Sequence, residues 1–221
     1  MTEIKKMLVG ALTGHDAQRD RSLQVDIGPS AVGDCKRRVF LNITNAPKVN
    51  QTDKLAAIMG TFIHAGIAEA IKREDPFNDN FLIEQEFSVE GLRGHVDLYI
   101  KDRKQVVDWK TTKVKSLRYF PSLQQRLQVQ LYGYLLTANG YEVETVSLVA
   151  IARDGQSEDI REHSEPYDPK MAEEGLEWIR NLQKMAESGE VPEPEKDVYF
   201  CRSFCDYYDA TGVNGCPSKS R

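Results

Sequence analysis

The chain has 221 residues, 40% hydrophobic and 29% charged, with a formal net charge of -5 at pH 7. That length can bury a full core, and the composition is ordinary for one globular, enzyme-sized domain over 1–221, not for a disordered or low-complexity chain. No internal repeat is visible, no apolar run approaches a membrane span, and nothing resembles a signal peptide; the expectation is a soluble cytoplasmic protein with no membrane partner.

Residues 1–27 are polar with a weak apolar pattern and read as a loose arm or docking helix. Residues 28–45 carry Cys35 in Gly28-Pro-Ser-Ala-Val-Gly-Asp-Cys-Lys-Arg-Arg-Val-Phe-Leu41, which predicts a short helix capped at Ser30 and a basic patch at Lys36, Arg37 and Arg38. From Asp53 to Lys72, apolar residues at Leu55, Ile58, Met59, Phe62, Ile63, Ile67, Ala70 and Ile71 have helical periodicity, with Thr52 or Asp53 as N-cap. His64 lies off that stripe between Gly60 and Ala68, where small neighbours leave room for approach.

Phe81 to Val89 alternates as a strand, with Glu84 and Glu86 on its polar face; either is a possible carboxylate donor or the wet side of an edge strand. Two further strands flank the polar turn Lys101–Lys104. On the first, Asp97 of Gly94-His-Val-Asp97 opposes the Val96, Leu98, Ile100 face. On the second, period two sends Val106, Asp108 and Lys110 one way and Val107 and Trp109 the other. Two carboxylates can thus converge on a hard cation, Mg2+ or Mn2+, with a lysine beside it to act on water or a phosphoryl oxygen. Taken alone, the same residues also fit a solvated hairpin with an ion pair. A histidine joining them would favour Mn2+.

From Trp109 to Tyr141 there is no Asp or Glu, while Lys110, Lys113, Lys115, Arg118 and Arg126 fall there. Such a strip suits phosphate contact despite the negative total, and Tyr119 and Phe120 can stack on unpaired bases or belong to the core. A helix follows over 122–138, with Pro121 at its start, Gly140 as its stop, and Gln128 and Tyr132 one turn apart. Residues 144–152 supply another strand. A last amphipathic helix over 168–189, capped by Asp168, reads as scaffold. After the connector Val191-Pro-Glu-Pro-Glu-Lys196, residues 190–221 hold Cys201, Cys205 and Cys216. In a reducing compartment these and Cys35 suit tetrahedral zinc or an iron-sulfur cluster better than disulfides.

The ordered set Gly60-x-x-x-His64, Gly94-His-Val-Asp97, Asp108-Trp-Lys110 and Gln128-x-x-x-Tyr132 resembles the PD-(D/E)XK nuclease superfamily. The likeness is to its RecB-like branch, with CRISPR-associated exonucleases and phage relatives, and runs from about Pro29 to Cys216. The resemblance implies an α/β restriction-endonuclease-like core over 52–153, in the order helix, three strands, helix, strand. It implies metal binding by His64, Asp97, Asp108 and the Trp109 carbonyl, action of Lys110 on the nucleophilic water, and a role for Gln128 and Tyr132 on the DNA side. Asp108 departs from the Glu of many relatives. One N-terminal and three C-terminal cysteines are also arranged as in the iron-sulfur members, which implies a [4Fe-4S] cluster joining the two ends of the chain; the loose C-x3-C and C-x10-C gaps leave zinc or [2Fe-2S] open. The implied activity is a DNA exonuclease acting on single strands or ends, in recombination, repair or CRISPR adaptation. The alternative is a noncatalytic DNA-end-binding or adaptor subunit.

Overall fold

The computed structural model describes residues 2–17, 27–77 and 79–219. Residues 18–26 of the expected arm lie outside the described residues. Its helices are α1 (Glu3–Ala17), α2 (Lys36–Ile43), α3 (Leu55–Glu74), α4 (Leu123–Ala138), α5 (Pro169–Ser188) and α6 (Val198–Phe204), and its strands are β1 (Phe81–Val89), β2 (Leu92–Ile100), β3 (Gln105–Thr112), β4 (Thr145–Ala152) and β5 (Arg161–Pro166). The chain divides into two compact units. A sheet unit comprises Asp26–Asp34 and Ile63–Lys184, and a cysteine unit comprises Met1–Val25, Cys35–Phe62 and Met185–Arg221.

In the sheet unit the five strands run in the order β1-β2-β3-β4-β5, with only β3 and β4 parallel. Glu90 and Gly91, both at positive φ, make the two-residue turn that joins β1 to β2 with the twist a hairpin needs. A parallel pair needs a crossover, and α4 supplies it between β3 and β4. Ser122, not Pro121, starts that helix, through a capping box with Gln125. One apolar cluster joins Leu98, Val107 and Trp109 to Ala68, with Ile67, Ile71, Phe81, Ile83, Ile100, Val149 and Ile151 packed around it. Helix, three strands, helix and strand therefore stand in the expected order.

β5 is an addition to that plan. Its sequence, Arg-Glu-His-Ser-Glu-Pro, offers no apolar alternation. It is held instead by polar bonds: Ser147 and Ser164 hydroxyls lie 2.7 Å apart, and buried Gln130 of α4 donates to Glu165 at 3.0 Å.

The helix expected from Ser30 begins later. Pro29–Ala31 is a single 3-10 turn, Gly33 follows at φ +78, and Cys35 becomes the N-cap of α2. A left-handed backbone at Gly33 cannot continue a helix, so the start is displaced past it. At the far end Asp197 caps α6 by accepting from Phe200 N–H. The backbone carbonyl of Asp206 accepts from Val49 and Asn50, while its carboxylate takes Thr52 and Lys54. Asp53 Oδ1 accepts the Leu55 N–H at the start of α3, while the Lys54 carbonyl takes the first helical bond, from Ile58.

α3 is, among the described residues, long and apolar enough to cross a membrane by length and composition alone. This corrects the expectation that no run approaches that length. Its alanines, glycines, histidine and threonine interrupt the large apolar residues without lowering the average much. Over its second half Ile67, Ala68 and Ile71 pack on the sheet.

Candidate functional site

Asp97 is almost fully buried on β2, and its Oδ2 accepts the backbone N–H of Trp109 at 3.0 Å. This bond ties β2 to β3 where the paired ladder, which ends at Leu98 and Val107, has stopped. His64 of α3 brings Nδ1 to 3.6 Å from the same oxygen, and its ring meets Trp109 edge-on at 6.2 Å between centroids. Glu84 completes the group: single ligand atoms of His64, Glu84 and Asp97 all lie within 4.8 Å of one another. One nitrogen and two carboxylates at that separation are a fit donor set for Mn2+ or Mg2+.

Glu84 owes its place to an unusual backbone. The β1–β2 register runs through Ile83↔Leu98 and Gln85↔Val96, so Glu84 faces Asp97, yet that pair is missing from the ladder and Glu84 has φ 50. A left-handed non-glycine residue in mid-strand is strained, and such strain collects at functional sites. Glu86 is excluded from the group. It pairs across the strands with His95, 3.2 Å away, and lies 3.9 Å from Arg93.

Asp108, on β3, is oriented toward Lys110. Lys110 Nζ donates to Oδ1 at 3.0 Å and lies 2.7 Å from Oδ2, an oxygen that is buried without a hydrogen bond of its own. Burial pushes the Asp108 carboxyl up to about 6, with Lys110 opposing and Asp97 adding to the rise. Both Asp108 oxygens face the Lys110 ammonium, so a cation bound there would share the carboxylate with the lysine.

From α4, Gln128 Oε1 accepts from Lys110 Nζ at 2.8 Å, and Gln128 Nε2 donates to Tyr132 Oη at 2.9 Å. Tyr132, Gln128, Lys110 and Asp108 thus form one chain of hydrogen bonds. Both α4 side chains are buried, and Gln128 holds the lysine while Tyr132 holds Gln128. Gly94 explains how α4 comes so close. A Cβ there would stand 2.9 Å from Leu135 Cδ1 and 3.0 Å from both Tyr132 Cε1 and Pro29 Cγ.

Beyond β3 the basic strip is sorted by its partners. Lys113, which precedes the 3-10 segment Val114–Tyr119, and Lys115 and Arg118 within it are exposed, and Arg118 lies 4.7 Å over the ring of Tyr119, itself 67% exposed. Phe120 is half-buried. Arg126 leaves the strip: its guanidinium bonds Glu165 at 2.8 and 2.9 Å. In the other patch Lys36 is exposed, whereas Arg37 donates to the Pro192 carbonyl.

Cys35, Cys201, Cys205 and Cys216 are free thiols, all buried, and line one cavity with Arg38, Leu41, Pro194, Lys196 and Phe200. Residues more than 160 positions apart in the chain are so gathered at one point. Burial pushes the Cys201 thiol up to about 12 and raises that of Cys205. Four sulfurs around one buried cavity, none in a disulfide, suit a thiolate-bound metal centre.

A family model described as PD-(D/E)XK nuclease superfamily matches residues 72–210. Among curated proteins, none matches the chain significantly in sequence. Of solved structures, one designated SSO0001 is similar over 100% of this chain and 99% of its own, with 20% identity and a TM-score of 0.61. An alkaline exonuclease (LHK-Exo) from Laribacter hongkongensis is similar over 75% of this chain and 89% of its own, with 9% identity and a TM-score of 0.53. The structure of LHK-Exo in complex with dAMP gives 11% identity and a TM-score of 0.52.

Proposed function

The chain belongs to the PD-(D/E)XK nuclease superfamily, and from that premise we propose that it is a metal-dependent DNA exonuclease carrying a separate metal centre on its four cysteines. The observation that supports catalysis most directly is the gathering of His64, Glu84 and Asp97 beside the Asp108 and Lys110 pair. A divalent cation held by His64, Glu84, Asp97 and Asp108, with the Trp109 carbonyl, would neutralise charge on a phosphoryl oxygen and acidify water.

The residues themselves divide the remaining work. Lys110 is held from two sides, by Asp108 and by Gln128, so its ammonium is fixed in direction before substrate arrives. There it can stabilise charge on phosphate or hold the attacking water. Tyr132 accepts from the Gln128 amide and so fixes which end of that amide faces the lysine. Trp109 N–H and the His64 ring orient Asp97. Exposed Lys113, Lys115 and Arg118 continue from the same strand and suit a phosphate backbone, while Tyr119 offers a ring to an unpaired base.

Exonuclease action is favoured by the fold shared with LHK-Exo, an exonuclease also seen in complex with dAMP. The iron-sulfur reading of the four cysteines that line one cavity rests on the likeness of one N-terminal and three C-terminal cysteines to the iron-sulfur members of the superfamily, and a single zinc ion on the same sulfurs is the alternative. Such a centre fits a reducing, cytoplasmic setting and a place in recombination, repair or CRISPR adaptation.

The test is cleavage of 5'- and 3'-labelled single and double strands with Mg2+ and with Mn2+. Mononucleotide release from one end supports the reading. Folded protein that binds DNA but cleaves none of these substrates with either metal would make it a binding subunit.

A further inference from the structure

Four cysteinates around a metal centre carry more negative charge than the metal removes. A zinc ion, a [2Fe-2S] centre or a [4Fe-4S] centre in its usual oxidised state each leaves the assembly at about -2. Buried charge of that size is costly unless cations stand beside it.

Two cations line the cysteine cavity. Arg38 stands in the first turn of α2, which Cys35 caps, and Lys196 precedes α6, which carries Cys201. Lys196 is held there by its surroundings: its Nζ lies 5.7 Å over the ring of Phe200, and its backbone carbonyl accepts from Cys201 Sγ at 3.6 Å. The two acids that flank Lys196 in the chain sit at helix starts. Glu195 accepts the backbone N–H of Lys36 at 2.8 Å, and Asp197 accepts that of Phe200 at 2.9 Å. Arg38 is half-buried, unlike exposed Lys36 two residues before it.

We propose that Arg38 and Lys196 are the counter-charges of the cysteine metal centre, and that Arg38 serves this role and does not contact DNA. The inference rests on reading the four cysteines as a metal centre and holds for either iron-sulfur or zinc. Removing the positive charge leaves the same four sulfurs in place but raises the cost of their charge, so the centre should bind its metal less tightly and, if it is iron-sulfur, become harder to reduce.

The experiment uses full-length protein purified without oxygen, with metal per chain measured by elemental analysis. Wild type, Arg38→Gln, Lys196→Gln and the charge-keeping Arg38→Lys are compared by competition against a metal chelator. The neutral variants should hold metal about 10- to 100-fold less tightly, the range typical for loss of a group supporting metal ligands. Arg38→Lys should stay near wild type, and for an iron-sulfur centre the neutral variants should shift to a more negative reduction potential. The salt dependence of DNA binding should be unchanged in all three.

Equal metal retention in folded Arg38→Gln and Lys196→Gln would overturn the proposal while leaving the metal centre itself standing. So would a lowered DNA salt slope in Arg38→Gln with retention unchanged, which would return Arg38 to the DNA patch. If Arg38→Gln fails to fold, Lys196→Gln and Arg38→Lys still decide. Wild type without bound metal would overturn the metal-centre reading together with this inference, and the nuclease assay would remain independent of both.

Discussion

The sheet unit and the cysteine unit both bury groups that prefer water, and they compensate in different ways. In the sheet unit Asp97, Asp108, Gln128 and Gln130 are buried, but each has named partners, and the surrounding strands and α4 contribute Val96, Leu98, Val106, Leu131, Leu135 and Leu148 to a dense interior. The cysteine unit has a small apolar cluster, Cys201, Cys205 and Tyr207 with Leu41, Ala46, Phe200 and Tyr208. Meanwhile Ile4, Met7, Leu8, Leu55, Met59, Phe62, Tyr199 and Phe204 are exposed. Small cores without enough apolar burial are commonly completed by a metal. On the proposed reading, one unit is organised by packing and hydrogen bonds and the other by a metal on its four cysteines.

The sharpest way to break this contrast is to remove the ligand from one unit only. Cys201→Ala or Cys216→Ala should abolish metal binding and remove several kcal/mol of stability from the cysteine unit, because metal affinity there is also folding free energy. Hydrogen exchange should show protection lost around α2 and α6 and kept in β2, β3, β4 and α4. Equal loss in both units would mean that the contrast is false.

Within the sheet unit the complementary expectation is activity lost with fold retained. Asp97→Asn and Asp108→Asn keep the shape of each side chain and should each lower cleavage by on the order of a thousandfold, the effect of several kcal/mol of lost charge stabilisation. Circular dichroism should be unchanged. Turnover near wild type in either folded variant would remove it from the site.

A smaller effect separates exposed from committed cations. The combined Lys113, Lys115 and Arg118 to Ala changes should flatten the plot of log affinity against log salt by up to about three units, roughly one per phosphate contact. Arg126→Ala should leave the slope unchanged, since its guanidinium is bonded to Glu165. Fluorescence anisotropy with a labelled single strand across a salt series measures both.

The smallest expected effect concerns pH. Burial alone would raise the Glu165 carboxyl, but hydrogen bonds from Arg126, Gln130 and His163 hold it below the usual carboxylate range. A carboxyl depressed in the folded state stabilises the fold above its unfolded value, near 4.5, and that contribution is lost as pH falls through the folded one. Glu165→Gln should cost about 1–3 kcal/mol at pH 7 and flatten the decline of stability with acid. A denaturation series from pH 7 to pH 3 with an unchanged profile would show that β5 is held by other contacts.

Much of the catalytic half was legible in the chain because its signals are local. Period two placed Asp108 and Lys110 on one side of β3, helical period identified α3 and α4, and the polar turn at Lys101–Lys104 marked the hairpin. β5 was not legible, since Arg161–Pro166 is polar throughout and its attachment depends on Ser147, Gln130 and Arg126 from elsewhere in the sequence. Nor could spacing show that Arg126 is neutralised, because Glu165 lies 39 residues away.

The sequence by itself determined which chemistry is available: an imidazole, three acids and a lysine in nuclease order, and four cysteines at the two ends of the chain. Tertiary structure decided which of them meet. It chose Glu84 over Glu86 by turning one residue of β1 to positive φ, and it gave Lys110 to Asp108 and Gln128. It also brought Cys35 into one cavity with Cys201, Cys205 and Cys216. The physical reason is range: periodicity and capping act over a few neighbouring residues, whereas a buried charge can be satisfied by any partner that packing brings within a few ångströms.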